Sequence, residues 1–121
     1  MTKSEHKILK GLWSQTIKSR DNSICVRCGS VKKVAASHIY PKGRYRHMAY
    51  DLDNGVTLCF ACHMGWWHKH PMDAYVWAHM YVGDKILAKL RARSLKKKVK
   101  LNFETIKDIL INELRTHNQN T

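Results

Sequence analysis

Apolar residues recur at helical spacing in the first part of the chain. Over residues 5–19 they fall on one face of a helix, and lysines lie between them. The positions of this apolar stripe are Ile8, Leu9, Leu12, Trp13 and Ile17. A spacing of about 3.6 residues predicts an amphipathic helix with a buried stripe, which ends at Asp21 and Asn22.

The second half of the chain is also predicted to be helical. The segment DAYVWAHMYV ends at Gly83, a natural C-terminal cap, and DKILAKLRARS follows with Asp84 as its N-cap. The segment NFETIKDILINELRT is capped by Asn102 and carries its apolar residues on one face. Those residues are Ile106, Ile109, Leu110 and Leu114.

Between these helical parts the pattern changes to short β-branched runs. VKKVAASHIY predicts a strand, the basic loop PKGRYRH ends it, and VTL predicts a second short strand. A turn at Asp53, Asn54 and Gly55 precedes the second strand, and a helix is expected to begin near Cys62. The expected fold class is α+β, with a small ββα core between N- and C-terminal helices.

Length and composition indicate one globular domain. The chain has 121 residues, and 44% of them are hydrophobic, which suffices for one modest core. No apolar run approaches the roughly 18 residues that a membrane span requires. The N-terminal segment MTKSEHKILK lacks the apolar stretch of a secretion signal. A cytoplasmic location is therefore expected.

The charge of the chain points to a polyanionic partner. Lys and Arg number 22 against 9 Asp and Glu, which gives a net charge of +13. A small domain this basic usually binds nucleic acid. The alternative is a basic surface that only keeps the protein in solution.

The four cysteines form two CxxC pairs and are the first candidates for a metal site: Cys25, Cys28, Cys59 and Cys62. Each pair offers two thiolates from one tight turn, and four thiolates form a closed tetrahedral site for structural Zn²⁺. Gly29 allows the first turn to curl around the metal. A redox-active CxxC is the alternative, but a single redox pair would not need a second one.

A histidine and an asparagine lie between the cysteine pairs, and a histidine directly follows the last cysteine. These are His38, Asn54 and His63, in the segments SHIYP, LDN and VTLCFACH. The order resembles the HNH, or His-Me finger, endonucleases, whose ββα-metal unit is often braced by two CxxC pairs. The helix ending in RD before CVRCG, the basic stretch before YDLDN and the basic C-terminal half resemble the NinG/Rap group of phage recombination endonucleases.

These residues suit phosphodiester hydrolysis, and the resemblance gives each a role. His38 is the candidate general base, and His63 helps to hold a divalent cation that stabilises the leaving oxygen. The resemblance implies that Asn54 braces the loop carrying the base. His68 is the candidate second ligand, which requires a short or distorted helix near Gly65. The expected ion is Mg²⁺ or Mn²⁺, and histidine ligands leave Ni²⁺ open.

Competing interpretations apply to several of these positions. His38 could be a buried structural histidine, and His63 a plain helix residue or a further zinc ligand. Ser37 departs from the family pattern, because many members have an acidic metal ligand immediately before the general base. The adjacent tryptophans are expected to pack rather than to stack on exposed bases: Trp66, Trp67 and Trp77.

Two basic stretches are candidates for contacts with the DNA backbone. Lys42, Arg44 and Arg46 lie in the loop between the expected base and Asn54, within reach of phosphates near the cut. The second stretch contributes Lys89, Arg91, Arg93, Lys97 and Lys98. A solvated helix face is the alternative for this second stretch. No recognition-helix motif is present, which favours a structure-directed or weakly selective nuclease.

The sequence therefore predicts one HNH nuclease domain over residues 1–121. It comprises an N-terminal helix (1–22), a zinc-braced ββα-metal core (23–72) and a basic helical part (73–121). The expected function is a metal-dependent DNA endonuclease that nicks DNA or cuts branched recombination intermediates, in the host cytoplasm if phage-encoded. Symmetric junctions would favour a homodimer. The alternatives are a non-catalytic zinc-binding DNA-binding module and a homing or packaging-associated HNH nuclease.

Overall fold

The computed structural model describes residues 1–119 and begins with a long helix, α1 (Lys3–Arg20). Thr2 caps this helix, because its hydroxyl accepts a hydrogen bond from the Glu5 amide at 3.1 Å. The Glu5 carboxylate accepts one from the Thr2 amide at 2.9 Å in return. This capping box satisfies two backbone donors at the start of the helix.

The predicted buried stripe of α1 is confirmed, with one exception. Leu9, Trp13 and Ile17 are almost completely buried, but Ile8 is 47% exposed. Each helical residue turns by about 100°, so Ile8 lies outside the arc that Leu9, Trp13 and Ile17 share. Its assignment to the buried stripe was wrong.

Side chains at the end of α1 anchor the helix to the following core. Arg20 donates to the carbonyls of Leu52 at 2.9 Å and Gly55 at 2.8 Å. The Asp21 carboxylate accepts a hydrogen bond from the Thr57 amide at 3.0 Å. The Arg-Asp pair thus fixes the helix against the second strand.

Two antiparallel strands, β1 (Val34–His38) and β2 (Gly55–Cys59), confirm the two predicted strands. His38 pairs with Gly55 at one end of the ladder. A Cβ atom at Gly55 would lie 2.5 Å from Cζ2 of Trp13, so only glycine permits this approach of α1. The sheet therefore brings Trp13 beside His38.

A short helix, α2 (Phe60–Cys62), follows β2 and continues as a π-helical turn (His63–Trp67). The His68 amide donates to the His63 carbonyl at 3.2 Å, an i to i+5 hydrogen bond. The predicted distortion near Gly65 is confirmed. A π turn aligns residues five apart, which an α-helix does not.

Two helices, α3 (Pro71–Val82) and α4 (Asp84–Ser94), follow and are separated by Gly83 with φ 86°. This left-handed conformation favours glycine and confirms the predicted end of α3. Asp84 as an N-cap was wrong, because Asp84 is the first helical residue. Its carboxylate lies 2.6 Å from Nε2 of His79 instead.

The last helix, α5 (Phe103–Gln119), has the predicted cap and most of the predicted buried face. Asn102 Oδ1 accepts a hydrogen bond from the Thr105 amide at 2.9 Å. Leu110 is fully buried, whereas Ile109 is 52% exposed and does not belong to that face.

Three apolar clusters hold these elements together. One joins α1 to α5, one lies between the strands and the cysteines, and one packs the loop after β1 against α4. The fold is therefore α+β, as expected, with a two-stranded sheet at its centre. None of the helices within residues 1–119 is long and apolar enough to span a bilayer.

Candidate metal centre and active-site cleft

The four cysteine thiols converge beside β2. Their Sγ atoms all lie within 4.8 Å of one another, and the Cys28 and Cys59 sulfurs are 3.6 Å apart. Sulfurs bound to one tetrahedral Zn²⁺ at about 2.3 Å lie about 3.8 Å apart. The observed spacing fits, and none of the four forms a disulfide. The cluster can therefore hold a zinc ion, with the predicted ligands Cys25, Cys28, Cys59 and Cys62.

The first cysteine turn stabilises the thiolate of Cys25. Gly29 has φ 83°, and its amide donates to the Cys25 carbonyl at 2.8 Å. Burial opposes ionisation of Cys25, yet backbone hydrogen bonds outweigh it and lower the pKa of this thiol to about 6. Arg27 Nη1 lies 3.4 Å from Cys62 Sγ and supplies a positive charge to the cluster. Burial nevertheless raises the pKa of the Cys62 thiol to about 12. Of the four thiols, Cys25 is therefore the one that most readily takes the deprotonated form that zinc binds.

Asn54 ties together the loop that connects the two strands. Its buried side chain accepts from the Tyr40 amide at 2.7 Å and donates to the carbonyls of Tyr40 and Met48, each at 3.1 Å. One amide thus fixes the start of the loop and the residue before Ala49. The effect of Asn54 on catalysis stays a prediction.

His38 lies at the end of β1 and is held on two sides. Its ring stacks on Trp13 with centroids 4.0 Å apart, and its Nε2 lies 2.8 Å from the Ala49 carbonyl oxygen. A carbonyl can only accept, so Nε2 carries the proton and Nδ1 is the basic nitrogen. Within residues 1–119 nothing hydrogen-bonds to Nδ1. The sequence did not reveal the roles of Trp13 and Ala49.

Several effects act on the protonation of His38. Burial lowers the pKa of its imidazole below the ordinary value, although the hydrogen bond to Ala49 opposes this. The positive charges of Lys42 and Lys10 and the nearby His63 lower it further. His38 is therefore neutral near pH 7, the form in which it can accept a proton.

His63 and His68 form a pair across the π turn. Their Nε2 atoms are 2.9 Å apart, and their ring centroids are 4.5 Å apart. Two imidazole nitrogens bound side by side to one octahedral cation at about 2.1 Å lie about 3.0 Å apart. Burial, followed by the neighbouring His68, lowers the pKa of His63 and keeps it neutral. The pair fits a divalent cation, separate from the four thiols.

His38, His63 and His68 line the same cleft, which has a volume of about 770 Å³. The cleft lies between β1, the π turn, α3 and α1. Lys42 also lines it, and no Asp or Glu does. The general-base candidate and the cation-binding candidates therefore face one space, although they are distant in sequence.

Ser37 occupies the position before His38 and also lines this cleft. It is 1% exposed, and its Oγ has no hydrogen-bond partner among the described residues. No Asp or Glu side chain among the lining residues replaces the acidic ligand that many HNH enzymes have at the position of Ser37. Water or substrate oxygens would have to complete the coordination of a cation on His63 and His68.

Residues 25–65 match the model of the HNH endonuclease family. The HNH segment begins at the first cysteine and ends two residues after His63, so it contains both cysteine pairs and both strands. No curated protein and no solved structure matches the chain. The match supports a nuclease at the level of the family, and it leaves His68 and the long helices outside the HNH segment.

The basic residues predicted near the cut lie in the loop that connects β1 to β2. Lys42 lines the cleft, and Arg44 and Arg46 are exposed to solvent. Their contacts with DNA stay a prediction.

The second basic stretch is less uniform than the sequence suggested. Arg93 Nη1 lies 2.7 Å from the Asp51 carboxylate and 3.0 Å from that of Asp53, so its charge already has two partners. Lys97 lies over the Tyr45 ring at 5.0 Å. The other predicted contacts are exposed: Lys89, Arg91 and Lys98. None of this stretch lines the cleft.

The tryptophans that follow the HNH segment pack against one another and against the site. Trp66 contacts Trp67 and Trp77 at centroid distances of 5.9 and 5.6 Å. Trp67 Nε1 donates to the His38 carbonyl at 3.2 Å. These contacts agree with the packing interpretation and connect the π turn to β1.

Proposed function

We propose that the protein is a metal-dependent DNA endonuclease that hydrolyses phosphodiesters in the cleft between His38 and the His63–His68 pair. The observation that carries this proposal is the shared cleft. It is lined by His38, whose basic nitrogen is Nδ1, and by His63 and His68, whose Nε2 atoms converge. The match of the HNH segment to an endonuclease family supports the same reaction class.

In this proposal His38 acts as the general base. Nδ1 takes a proton from the attacking water, and the Nε2–H donor keeps the ring oriented through the Ala49 carbonyl. That carbonyl also stabilises the imidazolium that forms. Stacking on Trp13 fixes the plane of the ring, and Asn54 holds the loop that carries Ala49.

His63 and His68 would hold the divalent cation. When bound there, such an ion would supply positive charge that stabilises the transition state and the departing oxygen. Two imidazoles and no carboxylate favour Mn²⁺ or Ni²⁺ more than an all-oxygen site would, and Mg²⁺ would bind largely through water and phosphate.

For the substrate we propose duplex or branched DNA that is cut with little sequence preference. The absence of a recognition-helix motif and the resemblance to the NinG/Rap group support recombination intermediates in particular. One active site cuts one strand, so cleavage of a symmetric junction would need two protomers or two sequential events.

The proposed activity is tested with supercoiled plasmid and zinc-loaded protein in Mg²⁺ or Mn²⁺. Nicking is expected, together with faster cleavage of a four-way junction or a flap than of a linear duplex. Binding without cleavage in any divalent metal would instead indicate a non-catalytic zinc module. Equal rates on all three substrates would remove the support for a recombination nuclease.

The loss of activity at low pH is expected to follow the protonation of His38. Since burial and positive neighbours lower its pKa, kcat/KM should fall with a midpoint below about pH 6.5, the ordinary value for histidine. The neutral form is lost as the pH decreases, so activity decreases in that direction. The measurement is a kcat/KM profile at saturating Mn²⁺; a midpoint above pH 7 would exclude this assignment.

Removal of one imidazole from the pair should weaken cation binding. We expect His68→Ala to reduce Mn²⁺ affinity by at least about 10- to 100-fold, the range found for the partners of metal ligands. Titration of zinc-loaded protein with Mn²⁺, followed by electron paramagnetic resonance, measures this. His70→Ala is the matched control, because His70 is exposed and lies outside the cleft. Equal affinities in the two variants would show that the pair does not bind the ion.

A further inference from the structure

A second cleft adjoins the one described above and shares a wall with it. It has a volume of about 460 Å³ and lies along the N-terminal half of α1. Four residues line both clefts: Lys10, Trp13, His38 and Lys42. The two clefts therefore form one trough that passes from the His63–His68 pair across the His38 ring to α1.

The α1 end of this trough is strongly positive. Lys3, Lys7, Lys10 and Lys42 line the second cleft, and no Asp or Glu does. Lys3, Lys7 and Lys10 are spaced i, i+4 and i+7, so they lie on one face of the helix. Among the described residues none of the four lysines forms an ion pair.

Lys10 and Lys42 are close enough to oppose each other's charge. Burial, and then the positive charge of Lys10, lower the pKa of Lys42 below its ordinary value. Ammonium groups that face each other without a carboxylate destabilise the free protein and favour an anion between them. These groups are 32 positions apart in the chain and meet beside His38 only in the folded protein.

We propose that the basic face of α1 is part of the substrate site: Lys3, Lys7, Lys10 and Lys42 form a phosphate track that leads a nucleic-acid strand across His38. This inference rests on the proposed nuclease function and adds an element outside the HNH segment to it. Lys3 and Lys10, the two ends of the track on α1, are about 10 Å apart along the helix axis. At about 3.4 Å per nucleotide, this length corresponds to about three phosphates of one strand.

The track is distinct from the basic C-terminal stretch. No residue from 85 to 100 lines either cleft. The C-terminal stretch would contact DNA farther from the cut, whereas the α1 track holds the phosphates next to the reacting one. Its loss should therefore affect both DNA affinity and cleavage.

The test compares two triple variants of the full zinc-loaded chain. The track variant carries Lys3→Gln, Lys7→Gln and Lys10→Gln. The control carries Lys18→Gln, Lys32→Gln and Lys33→Gln, which remove the same charge outside both clefts. Binding of a short fluorescent DNA duplex is measured without divalent cations over a range of salt concentrations, and zinc content and circular dichroism verify folding.

The track variant is expected to bind DNA at least about 10-fold more weakly at moderate salt. Its plot of log affinity against log salt should be shallower by about 2 to 3 units, about 0.9 for each lost phosphate contact. The control should change the slope by less than about 1 unit. Equal effects in the two variants would refute the track, because DNA binding would then depend only on the net charge of the protein. Polyglutamate is tested in parallel as a model of an acidic protein. If the track variant loses polyglutamate binding but keeps DNA binding, the ligand of the track is an acidic protein and not DNA.

Failure of this inference can be told from failure of the nuclease proposal. If wild-type protein cleaves DNA and the track variant binds and cleaves like the control, only the track is refuted. If no variant cleaves but the track variant loses DNA binding, the track is supported in a protein that binds DNA without cutting it.

Discussion

Replacement of His38 by alanine is expected to reduce DNA cleavage by about 10²- to 10⁴-fold, the usual contribution of a general base. His38 lines the cleft and keeps Nδ1 as its basic nitrogen, because its Nε2 proton is committed to the Ala49 carbonyl. DNA affinity and zinc content should remain at the wild-type level. The measurement is the single-turnover rate of plasmid nicking at saturating Mn²⁺.

Two further variants make this prediction specific. His38→Gln can still donate to Ala49 and fill the space beside Trp13, but it has no basic nitrogen, so it should be as inactive as His38→Ala while folding more stably. His117→Ala changes a histidine on α5 that lies outside both clefts and should leave the rate unchanged. A His38→Gln rate within about 10-fold of wild type would assign the base to another group.

Loss of zinc is expected to unfold the core of the protein. Structural zinc sites of this kind have apparent binding free energies of about 10–16 kcal/mol, whereas a whole small domain is stable by about 5–15 kcal/mol. The cluster also connects the first cysteine turn to β2. Gly55 and Thr57 of β2 in turn form hydrogen bonds with the end of α1. Chelation, or the substitution Cys59→Ser, should therefore abolish cooperative thermal unfolding.

Calorimetry combined with a colorimetric zinc assay measures this effect. His68→Ala is the matched control, because it alters the imidazole pair but none of the four thiols, and it should leave zinc content and the melting temperature unchanged. A chelated protein that has lost zinc and still melts cooperatively at the same temperature would contradict a structural role for the metal.

Much of the metal centre could be predicted from the sequence because its geometry is local. A CxxC turn brings two sulfurs together wherever it occurs, so the spacing of Cys25, Cys28, Cys59 and Cys62 predicted a four-thiolate cluster. The pairing of His63 with His68 could also be predicted from the sequence. Five residues do not share a face in an α-helix, and Gly65 suggested where the helix would depart from that geometry.

The contacts that complete the site could not be predicted in the same way. Trp13 stacks on His38 from 25 positions away, and the partner of Nε2 is a backbone carbonyl that has no sequence signature. Periodicity shows that Trp13 is buried but not what it is buried against. For the same reason Lys10 was indistinguishable from any lysine on a solvated helix face.

The errors at helix surfaces and ends have a related origin. Ile8 and Ile109 each precede a fully buried leucine and lie about 100° around the helix from it, where the neighbouring helix does not cover them. Asp84 follows Gly83 at a sequence position that suits an N-cap. The left-handed conformation of Gly83 moves the cap back by one residue, and Asp84 contacts His79 instead.

The most direct test of this account is a crystal structure of the zinc-loaded protein with a short DNA duplex and Mn²⁺, using anomalous scattering to locate the ions. We expect zinc on the four sulfurs, manganese on the Nε2 atoms of His63 and His68, and a phosphate between the manganese and His38 Nδ1. Manganese bound elsewhere, or a phosphodiester backbone that bypasses His38, would contradict the proposed active site.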